Sequence, residues 1–575
     1  MKLPITLFLV ALAVRAAAAM LFPDPAYPDS FYYVNVAREL AAGNGLQVDY
    51  IWNFIDVGWR LPGDGSLPIP ANSLWMPLAS LVQVPFILAL GATPLAFGLP
   101  FWLAGAAVAP LTYAIGRDAR LSRSQSAAAG LLVAMPAAAT PFLAQPDNFA
   151  LYMLLGSLAL WLCARGLRGD RRAFALGGLV VGLAALARND GVLLGLPFAL
   201  GFLYERWKVR SGASADGQAA QAERTASGWP AALGWRTALA CFGGFLLVTG
   251  PWFLRQLIVF GTLSPATREG HIFFLESHAA LFSIGTLPTL ESFLAQGPAA
   301  IVSSRVGGLV SALFLFASVP LLLYLVPFTG IGAVLRRRDP AFIPWAIYGI
   351  TLVLYSALLF PVFVPHGMFM HSALALAPHA YLLAILGVSA GVGWIARRRP
   401  RWDAPRATRH LTAVVVAFAL IGSAGATLRT AGAWGDDTRA RLALTEALRA
   451  VPPDELVMSG DPGAYRYLAG RGGIITPDDP LPVIEAALRS YGVRWLALER
   501  PHLVPALLPV LDGESRPEWL SAPVVVVPRG DRGGLASVVD PDPGAPPLTV
   551  PPPAAPPLAA LYAVCLAPSD ERCLP

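Results

Sequence analysis

The sequence LALWLCARGLRGDRRAFALGGLVVGLAALARNDGVLL occupies residues 158–194 and decides the fold class. Two long apolar runs flank a short loop, residues 165–172, that carries four arginines. A membrane span needs about 20 mostly apolar residues, and arginines in short loops collect on the cytoplasmic side of a membrane. The stretch is therefore typical of two transmembrane helices that are joined by a cytoplasmic turn.

The composition of the whole chain agrees with this interpretation. Its 575 residues are 55% hydrophobic and 14% charged, with a net charge of +6, whereas soluble domains contain about 25% charged residues. A chain of this composition cannot cover its surface with polar groups, which excludes an ordinary soluble protein. The glycines and prolines follow no period and there are four cysteines, which excludes a collagen-like chain and a disulfide scaffold.

Eleven apolar segments are predicted to cross the membrane. They are 4–22, 97–116, 125–143, 149–165, 174–188, 191–204, 237–258, 307–330, 341–361, 371–395 and 411–430. The first segment also resembles a signal peptide, but Arg15 interrupts the apolar run and its length suits a span. The fifth and sixth segments are short, and the alternative is that they form a helical pair that enters the membrane only partly.

The distribution of basic residues predicts the orientation of the chain. The loops that hold 21 lysines and arginines are 117–123, 165–172, 205–236, 336–338 and 397–409, whereas the alternate connections hold five. The positive-inside rule then predicts a cytoplasmic N-terminus and an external C-terminus. This count of crossings is consistent only if the apolar segment 74–93 lies in the outer interface as a juxtamembrane helix.

The C-terminal residues are predicted to form a small extracytoplasmic α/β domain with a partly parallel sheet. Predicted helices and strands alternate there: helices 440–450, 481–492 and 501–511, and strands 455–459, 493–499, 522–528 and 561–567. Residues 540–557 are rich in proline and predict a loop, and Cys565 and Cys573 are close enough in sequence for a disulfide. We therefore divide the chain into a membrane domain, 1–430, which includes the first outer loop 23–96, and an external domain, 431–575.

Few charged or imidazole side chains occur in the predicted outer connections, and they supply the candidate site residues. These are Asp29 in the first loop, Asp147 in the second, Arg188 in the third, and His366 and His371 in the last. A carboxylate between two apolar helices is costly unless it is paired or used. Because all five groups lie on one predicted side of the membrane, they predict a site for a phosphorylated or glycosylated molecule.

Each candidate also has a purely structural interpretation. Asp29 would cap a helix over residues 30–42, and Asp147 would cap the helix that begins near residue 149. Arg188 would end a helix and extend its side chain toward water. His366 and His371 would be ordinary interface residues.

The order of several motifs resembles a known family of membrane enzymes. PDSFYYVNVARELAAGNGL is followed by PIPANSLWMPLASLVQ, GRDARL, QPDNF and the stretch quoted first. This arrangement is similar to the GT-C glycosyltransferases, in the branch of the protein mannosyltransferases and aminoarabinose transferases. The likeness covers residues 1–204 best. It implies a polytopic helical enzyme that uses polyprenyl-phosphate sugars.

The resemblance implies a role for each matching residue. Asp29 would be the catalytic base, Asp147 would match the second-loop acidic residue, and Arg188 would lie near the lipid phosphate. The family often has paired acidic residues, but Asp29 is followed by Ser30, and Asp147 is followed by Asn148. No tightly bound metal is therefore predicted, although a divalent metal ion stays open as a cofactor.

The activity that the resemblance implies is transfer of a hexose or pentose, with inversion, from a polyprenyl-phosphate donor. The acceptor would be an extracytoplasmic lipid, glycan or protein, and the leaving phosphate would be stabilised by Arg188 and by His366 or His371. The implied partners are the donor, membrane lipid and this acceptor, with no nucleic acid, and the implied location is the cell membrane.

Two other classes of protein are alternatives to this one. A transporter or lipid flippase would have ionisable residues inside its spans and broken helices in matching halves. The predicted spans hold almost no Asp or Glu, and the halves show no repeat. A receptor-like scaffold needs only a few spans, so eleven would be excessive.

Overall fold

The computed structural model describes residues 2–59, 61, 66–212, 233–399, 401–528 and 556–566. Its α-helices are, in chain order, α1 (Lys2–Leu21), α2 (Pro28–Ala41), α3 (Leu78–Leu81), α4 (Val84–Leu90), α5 (Pro94–Asp118), α6 (Arg123–Ala134), α7 (Asn148–Leu167), α8 (Arg171–Ala187), α9 (Gly195–Gly212), α10 (Trp235–Phe260), α11 (Leu290–Ala295), α12 (Gly297–Ser318), α13 (Val326–Leu335), α14 (Ile343–Leu359), α15 (Met368–Ala373), α16 (Ala377–Arg398), α17 (Ala404–Arg449), α18 (Pro462–Ala469), α19 (Leu481–Ser490) and α20 (Leu508–Leu511). The strands are β1 (Gln47–Val48), β2 (Tyr50–Ile51), β3 (Ile69–Pro70), β4 (Val457–Ser459), β5 (Gly473–Ile475), β6 (Trp495–Glu499), β7 (Leu520–Val527) and β8 (Ala559–Val564).

The chain is a multi-pass helical membrane protein, as its composition predicts. Among the described residues, seven helices are long and apolar enough to cross a membrane, and the bent pair Arg123–Ala134 and Ala137–Ala144 would make an eighth. The predicted count of eleven spans is not reached by this criterion. Three predicted spans, which correspond to α8, α9 and α14, are helical but fall outside the seven.

Two apolar segments differ in their details from a simple span. The predicted span 307–330 is wrong as a single helix, because α12 ends at Ser318 and α13 begins only at Val326. Pro320 explains the break, since proline lacks the backbone N–H that a continuing helix needs. The segment 74–93 contains α3 and α4, and the stretch from Leu78 to Leu90 that includes both is 13 residues or about 20 Å long. That length is shorter than the roughly 30 Å of a bilayer's hydrocarbon core, and the juxtamembrane position of this segment stays a prediction.

The chain divides into two compact units. The membrane unit consists of Met1–Pro23, Trp75–Leu263 and Pro298–Thr430, and the sheet unit consists of Asp24–Leu74, Ser264–Gly297 and Ala431–Pro575. The division at residue 430 that the sequence predicts places Asp24–Leu74 and Ser264–Gly297 in the membrane domain, whereas the structure groups them with the C-terminal residues. Their grouping with the C-terminal residues depends on contacts that are distant in sequence.

Glycines allow close helix crossings in the membrane unit. A Cβ atom on Gly332 of α13 would lie 2.0 Å from the Leu383 carbonyl oxygen of α16, and a Cβ on Gly387 of α16 would lie 2.0 Å from the Phe328 carbonyl oxygen of α13. The glycine on each helix therefore makes room for the backbone of the other helix. Small residues of this kind let backbones approach where burial from water does not drive association.

We expect Gly387→Ala to destabilise the membrane unit by about 1–3 kcal/mol, because the added methyl group would overlap a backbone carbonyl that cannot easily move. Thermal unfolding in detergent measures the effect. Gly391→Ala on the same helix is the matched control, since a Cβ there would meet nothing within 4 Å. The control should keep its melting temperature or gain up to about 1 kcal/mol from helix propensity. Equal melting temperatures for the two variants would contradict the close crossing.

The sheet unit contains a six-stranded sheet in the order β2-β5-β4-β6-β8-β7. The first four strands are parallel, and β8 pairs antiparallel with both β6 and β7. The predicted partly parallel sheet is therefore confirmed, with β4, β6, β7 and β8 at the predicted strands. The predicted helix 501–511 is wrong: its prolines leave two 3-10 turns and the four-residue α20. The predicted loop 540–557 lies almost wholly outside the described residues.

A buried charged cluster holds the core of the sheet unit together. Arg441 Nη1 lies 3.1 Å from Asp461 Oδ2, and its Nε lies 2.8 Å from Glu499 Oε2. The Tyr465 hydroxyl donates to the other oxygen of Glu499 at 2.8 Å. Burial raises the pKa of the Asp461 carboxyl, and the neighbouring guanidinium opposes that effect. The cluster joins the end of α17, the start of α18 and the end of β6.

Candidate functional site

Asp147 begins helix α7 in the membrane unit. It is the N-cap residue, and its Oδ1 accepts a hydrogen bond from the Asn148 backbone N–H. The capping interpretation of the sequence is therefore correct, but it accounts for only one of the two carboxylate oxygens. Oδ2 lies 3.3 Å from His371 Nε2, and Asp147 is fully buried.

His371 lies on α15 and is held from two sides. Its ring stacks on Phe149 at a centroid distance of 3.7 Å and an interplanar angle of 15°. Its Nδ1 lies 3.0 Å from the Gly367 carbonyl oxygen, and because a carbonyl only accepts, this nitrogen carries a proton. In a neutral imidazole Nε2 would then present a lone pair to the Asp147 carboxylate. The contact is favourable when a proton or a cation lies between the two groups.

The same pair of atoms has a suitable spacing for a metal. Two ligands of a tetrahedral zinc ion at about 2.0 Å would lie about 3.3 Å from each other, and Asp147 Oδ2 and His371 Nε2 are 3.3 Å apart. Imidazole nitrogen and carboxylate oxygen are both common zinc ligands. The membrane unit therefore offers two neighbouring ligand atoms, which fits the divalent metal that the sequence left open.

Arg188 lies at the end of α8 and belongs to a polar network. Its Nε donates to Asp190 Oδ1 at 3.1 Å and to Ser372 Oγ at 2.9 Å, and Nη2 donates to the Met368 carbonyl oxygen at 3.1 Å. Ser372 Oγ in turn donates to Asp190 Oδ2 at 2.6 Å. The Arg188 side chain is 12% exposed and that of Asp190 is 5% exposed. Arg188 is therefore a paired and largely buried cation that holds α15, not a side chain extended into water.

Two buried tyrosines extend this network to α7. The Tyr348 hydroxyl donates to the Ser372 carbonyl oxygen at 3.3 Å and lies 3.0 Å from the Tyr152 hydroxyl. Sequence reasoning missed Ser372 and both tyrosines, because single neutral polar residues in apolar helices resemble packing residues. Asp190 was visible two positions after Arg188, and that spacing was the available signal for the ion pair.

His366 differs from His371 in its surroundings. His366 is exposed and lies in the turn that precedes α15. Gly367, whose φ is +98°, stands between His366 and the first residue of that helix. Partial desolvation lowers the pKa of the His366 imidazole, so that it is less often a cation at neutral pH. Of the two predicted histidines, the structure brings His371 to Asp147 and leaves His366 exposed.

Asp29 lies in the sheet unit, on the first turn of α2. The helix begins at Pro28 and its N-cap is Tyr27, which makes no side-chain capping bond. The interpretation of Asp29 as a simple cap is therefore wrong. A carboxylate at this position is favoured by the helix dipole, and Asp29 is half-buried.

Helix α2 is firmly attached to the rest of the sheet unit. Asn35 Nδ2 donates to the Gly463 carbonyl oxygen at 2.8 Å, and Arg466 Nη2 lies 3.0 Å from Glu39 Oε1. The Phe31 ring lies 5.7 Å from the Arg441 guanidinium of the buried charged cluster. These contacts fix both the position and the rotation of the helix that carries Asp29.

Comparisons with known proteins reveal the fold of the chain. No protein-family model and no curated protein matches it. The apo structure of ArnT from Cupriavidus metallidurans is similar, with 14% identity, 97% of each chain covered and a TM-score of 0.53. The same protein bound to undecaprenyl phosphate matches with 14% identity and a TM-score of 0.51, and the match covers 87% of this chain and 89% of that chain. The apo oligosaccharyltransferase of Archaeoglobus fulgidus matches with 12% identity and a TM-score of 0.46, and the match covers 89% of this chain and 70% of that chain. The chain therefore has the fold of the aminoarabinose transferase ArnT, which is the GT-C fold that the sequence resemblance implies.

Proposed function

We propose that this protein is a membrane glycosyltransferase that moves a sugar from a polyprenyl-phosphate donor to an extracytoplasmic acceptor, with inversion at the anomeric carbon. The observation that carries the proposal is the buried contact between Asp147 and His371 beside the Arg188–Asp190 pair, in a chain with the GT-C fold. Buried polar groups in a membrane protein mark functional sites. The ArnT structure with undecaprenyl phosphate supports a lipid phosphate as the ligand class.

The proposed chemistry is a single displacement. An acceptor hydroxyl or amine attacks the anomeric carbon, its proton passes to the Asp29 carboxylate, and the bond between the anomeric carbon and the phosphate oxygen breaks. The electron pair of that bond leaves with the polyprenyl phosphate. Cleavage of the sugar–phosphate bond of the donor drives the transfer, so no nucleotide is needed on the outer side of the membrane.

The leaving phosphate is stabilised by cations in the proposed site. Arg188 donates from its guanidinium, and His371, whose Nε2 faces Asp147 Oδ2 at 3.3 Å, is the second proposed ligand of the phosphate. A divalent metal held by Asp147 and His371 would instead supply Lewis-acid stabilisation of the same phosphate. His366 is a secondary candidate that would contact the donor from the exposed turn.

The proposed orientation puts the sheet unit outside the cell, with the N-terminus in the cytoplasm. Cys565 is disulfide-bonded, and its predicted partner Cys573 lies outside the described residues. Disulfides persist in oxidising compartments and are rare in the cytosol. This supports an external sheet unit in a protein of the cell membrane.

A reconstituted assay tests the function. The purified protein in liposomes receives radiolabelled polyprenyl-phosphate hexoses and pentoses together with lipid, glycan and protein acceptors. We expect glycosylated acceptor and free polyprenyl phosphate in equal amounts, with inverted anomeric configuration by NMR. Incubation with a chelator shows whether Asp147 and His371 act with or without a bound metal, because only a metal-dependent enzyme would lose activity. Movement of the labelled lipid across the bilayer without any covalent product would support a transporter and contradict the proposal.

A further inference from the structure

Arg15 is a fully buried cation in the first membrane helix, and the proposed reaction does not use it. Its exposed fraction is 0%, and its Nη2 donates to the Val133 carbonyl oxygen at 3.2 Å. Within the part of the chain that the structure describes, its Nε and Nη1 have no hydrogen-bond partner, and it forms no ion pair. A charged group at such a position in a membrane protein needs a functional explanation.

The carbonyl group that Arg15 contacts lies at a break in the chain. Helix α6 ends at Ala134, and the following helical segment, Ala137–Ala144, is bent by 49° relative to it. Pro136 in this break cannot continue the helix, so the last carbonyls of α6 lose their intrahelical donors. Unsatisfied backbone groups are costly at membrane depth, where water is absent.

Side chains from three other helices donate to carbonyl groups at the break and along the bent segment. Arg15 of α1 donates to Val133, Ser423 of α17 donates to the Met135 carbonyl oxygen at 2.9 Å, and Trp102 of α5 donates to the Ala144 carbonyl oxygen at 2.8 Å. The last of these contacts lies three residues before Asp147. A cation is also favoured at the C-terminal end of α6 because the helix dipole is negative there.

The packing around Arg15 is specific. A Cβ on Gly105 would lie 3.1 Å from Arg15 Nε, 3.5 Å from the Ala150 Cβ and 3.6 Å from the Leu143 carbonyl oxygen. The guanidinium therefore lies against the backbone of α5, and the same glycine contacts the segment that leads to Asp147 and the first turn of α7.

We propose that Arg15 is a positioning residue for Asp147. By binding the end of α6 it fixes the bent segment 135–147, and through this segment it fixes the carboxylate that faces His371. The inference rests on the proposed function for its effect on catalysis, but the effect on the segment itself is independent of any activity.

Hydrogen exchange measured by mass spectrometry tests the proposal in the full-length protein in lipid nanodiscs. In Arg15→Met we expect amide exchange over residues 135–147 to rise about tenfold, with the rest of the membrane unit unchanged. Arg15→Lys keeps the cation and should recover most of the protection. The matched control is Arg338→Met, which removes an exposed arginine and should leave the exchange unchanged.

Kinetics give the second measurement. Arg15→Met should lower kcat by about 100-fold with little change in KM for the donor, because a displacement of about 1 Å at a reacting group has an effect of this size. In an Asp147→Asn background the same substitution should cause no further loss, since both changes act through one carboxylate. Additive losses would indicate a merely structural role and overturn the proposal.

The outcomes separate this inference from the proposed function. Unchanged exchange over 135–147 in Arg15→Met overturns the positioning role, whatever the activity. Full activity in Asp147→Asn contradicts the site but leaves the exchange result valid. If Arg15→Met fails to fold, Trp102→Phe removes a second donor from the same segment, and exchange over 135–147 that stays unchanged there overturns the proposal.

Discussion

Asp29→Asn is expected to lower kcat for glycosyl transfer by about 100- to 10,000-fold, the contribution of a general base. Asparagine keeps the size of the side chain and its place in the first turn of α2, but it cannot accept the acceptor's proton at neutral pH. KM for the polyprenyl-phosphate donor should change little, because the proposed base contacts the acceptor. Steady-state assays with the reconstituted enzyme measure both constants.

Asp24→Asn is the matched control for this substitution. Asp24 lies five residues earlier in the same loop, and its Oδ1 accepts a hydrogen bond from the Tyr467 hydroxyl at 2.9 Å. Asparagine can still accept that bond, so the control should retain full activity and the same melting temperature as Asp29→Asn. A transfer rate near that of the wild type in Asp29→Asn would show that another group removes the proton.

Asp190→Ala is expected to destabilise the membrane unit by about 3–5 kcal/mol and to abolish transfer. The substitution deletes one partner of a buried ion pair and leaves the cost of burying the other charge uncompensated. Ser372→Ala removes two hydrogen bonds but no charge from the same network, so its expected cost is smaller, about 1–3 kcal/mol. Thermal unfolding of both variants in the same detergent measures the difference.

A double substitution separates stability from activity at this ion pair. Arg188→Met combined with Asp190→Leu replaces both charges by apolar groups of similar size, and such replacements are often neutral for stability. We expect the double variant to regain most of the lost stability but none of the transfer, because the proposed phosphate ligand is gone. Recovery of transfer in the double variant would eliminate Arg188 as a ligand of the donor phosphate.

The parts of the fold that depend on local sequence could be predicted. Membrane helices follow from the length and hydropathy of a segment, and strands such as β6 follow from a short apolar run between turn residues. The pairing of β2 with β5 could not be predicted, because β2 consists of two residues and its partner lies more than 400 residues away. The break within 307–330 could have been predicted from Pro320, but an averaged hydropathy conceals a single proline.

The same distinction applies to the candidate site. Asp147 and His371 were identified because charged and imidazole groups are rare in the predicted outer connections. Their contact joins residues that are 224 positions apart, and no pattern along the chain encodes it. Ser372, Tyr348 and Tyr152 could not be distinguished from packing residues, because a lone hydroxyl in an apolar helix has no periodic signal.

The composition of the sheet unit has a consequence for the biogenesis of the protein. Strand β2 leaves the ribosome early, but its partner Gly473–Ile475 is synthesised more than 400 residues later, which at about 5–20 residues per second is a delay of roughly 20 seconds or longer. During that interval the first loop lacks the strand with which β2 pairs, and it is accessible to chaperones and proteases. A nascent chain that is released before β5 would therefore be recognised by quality control even if every membrane helix had inserted correctly.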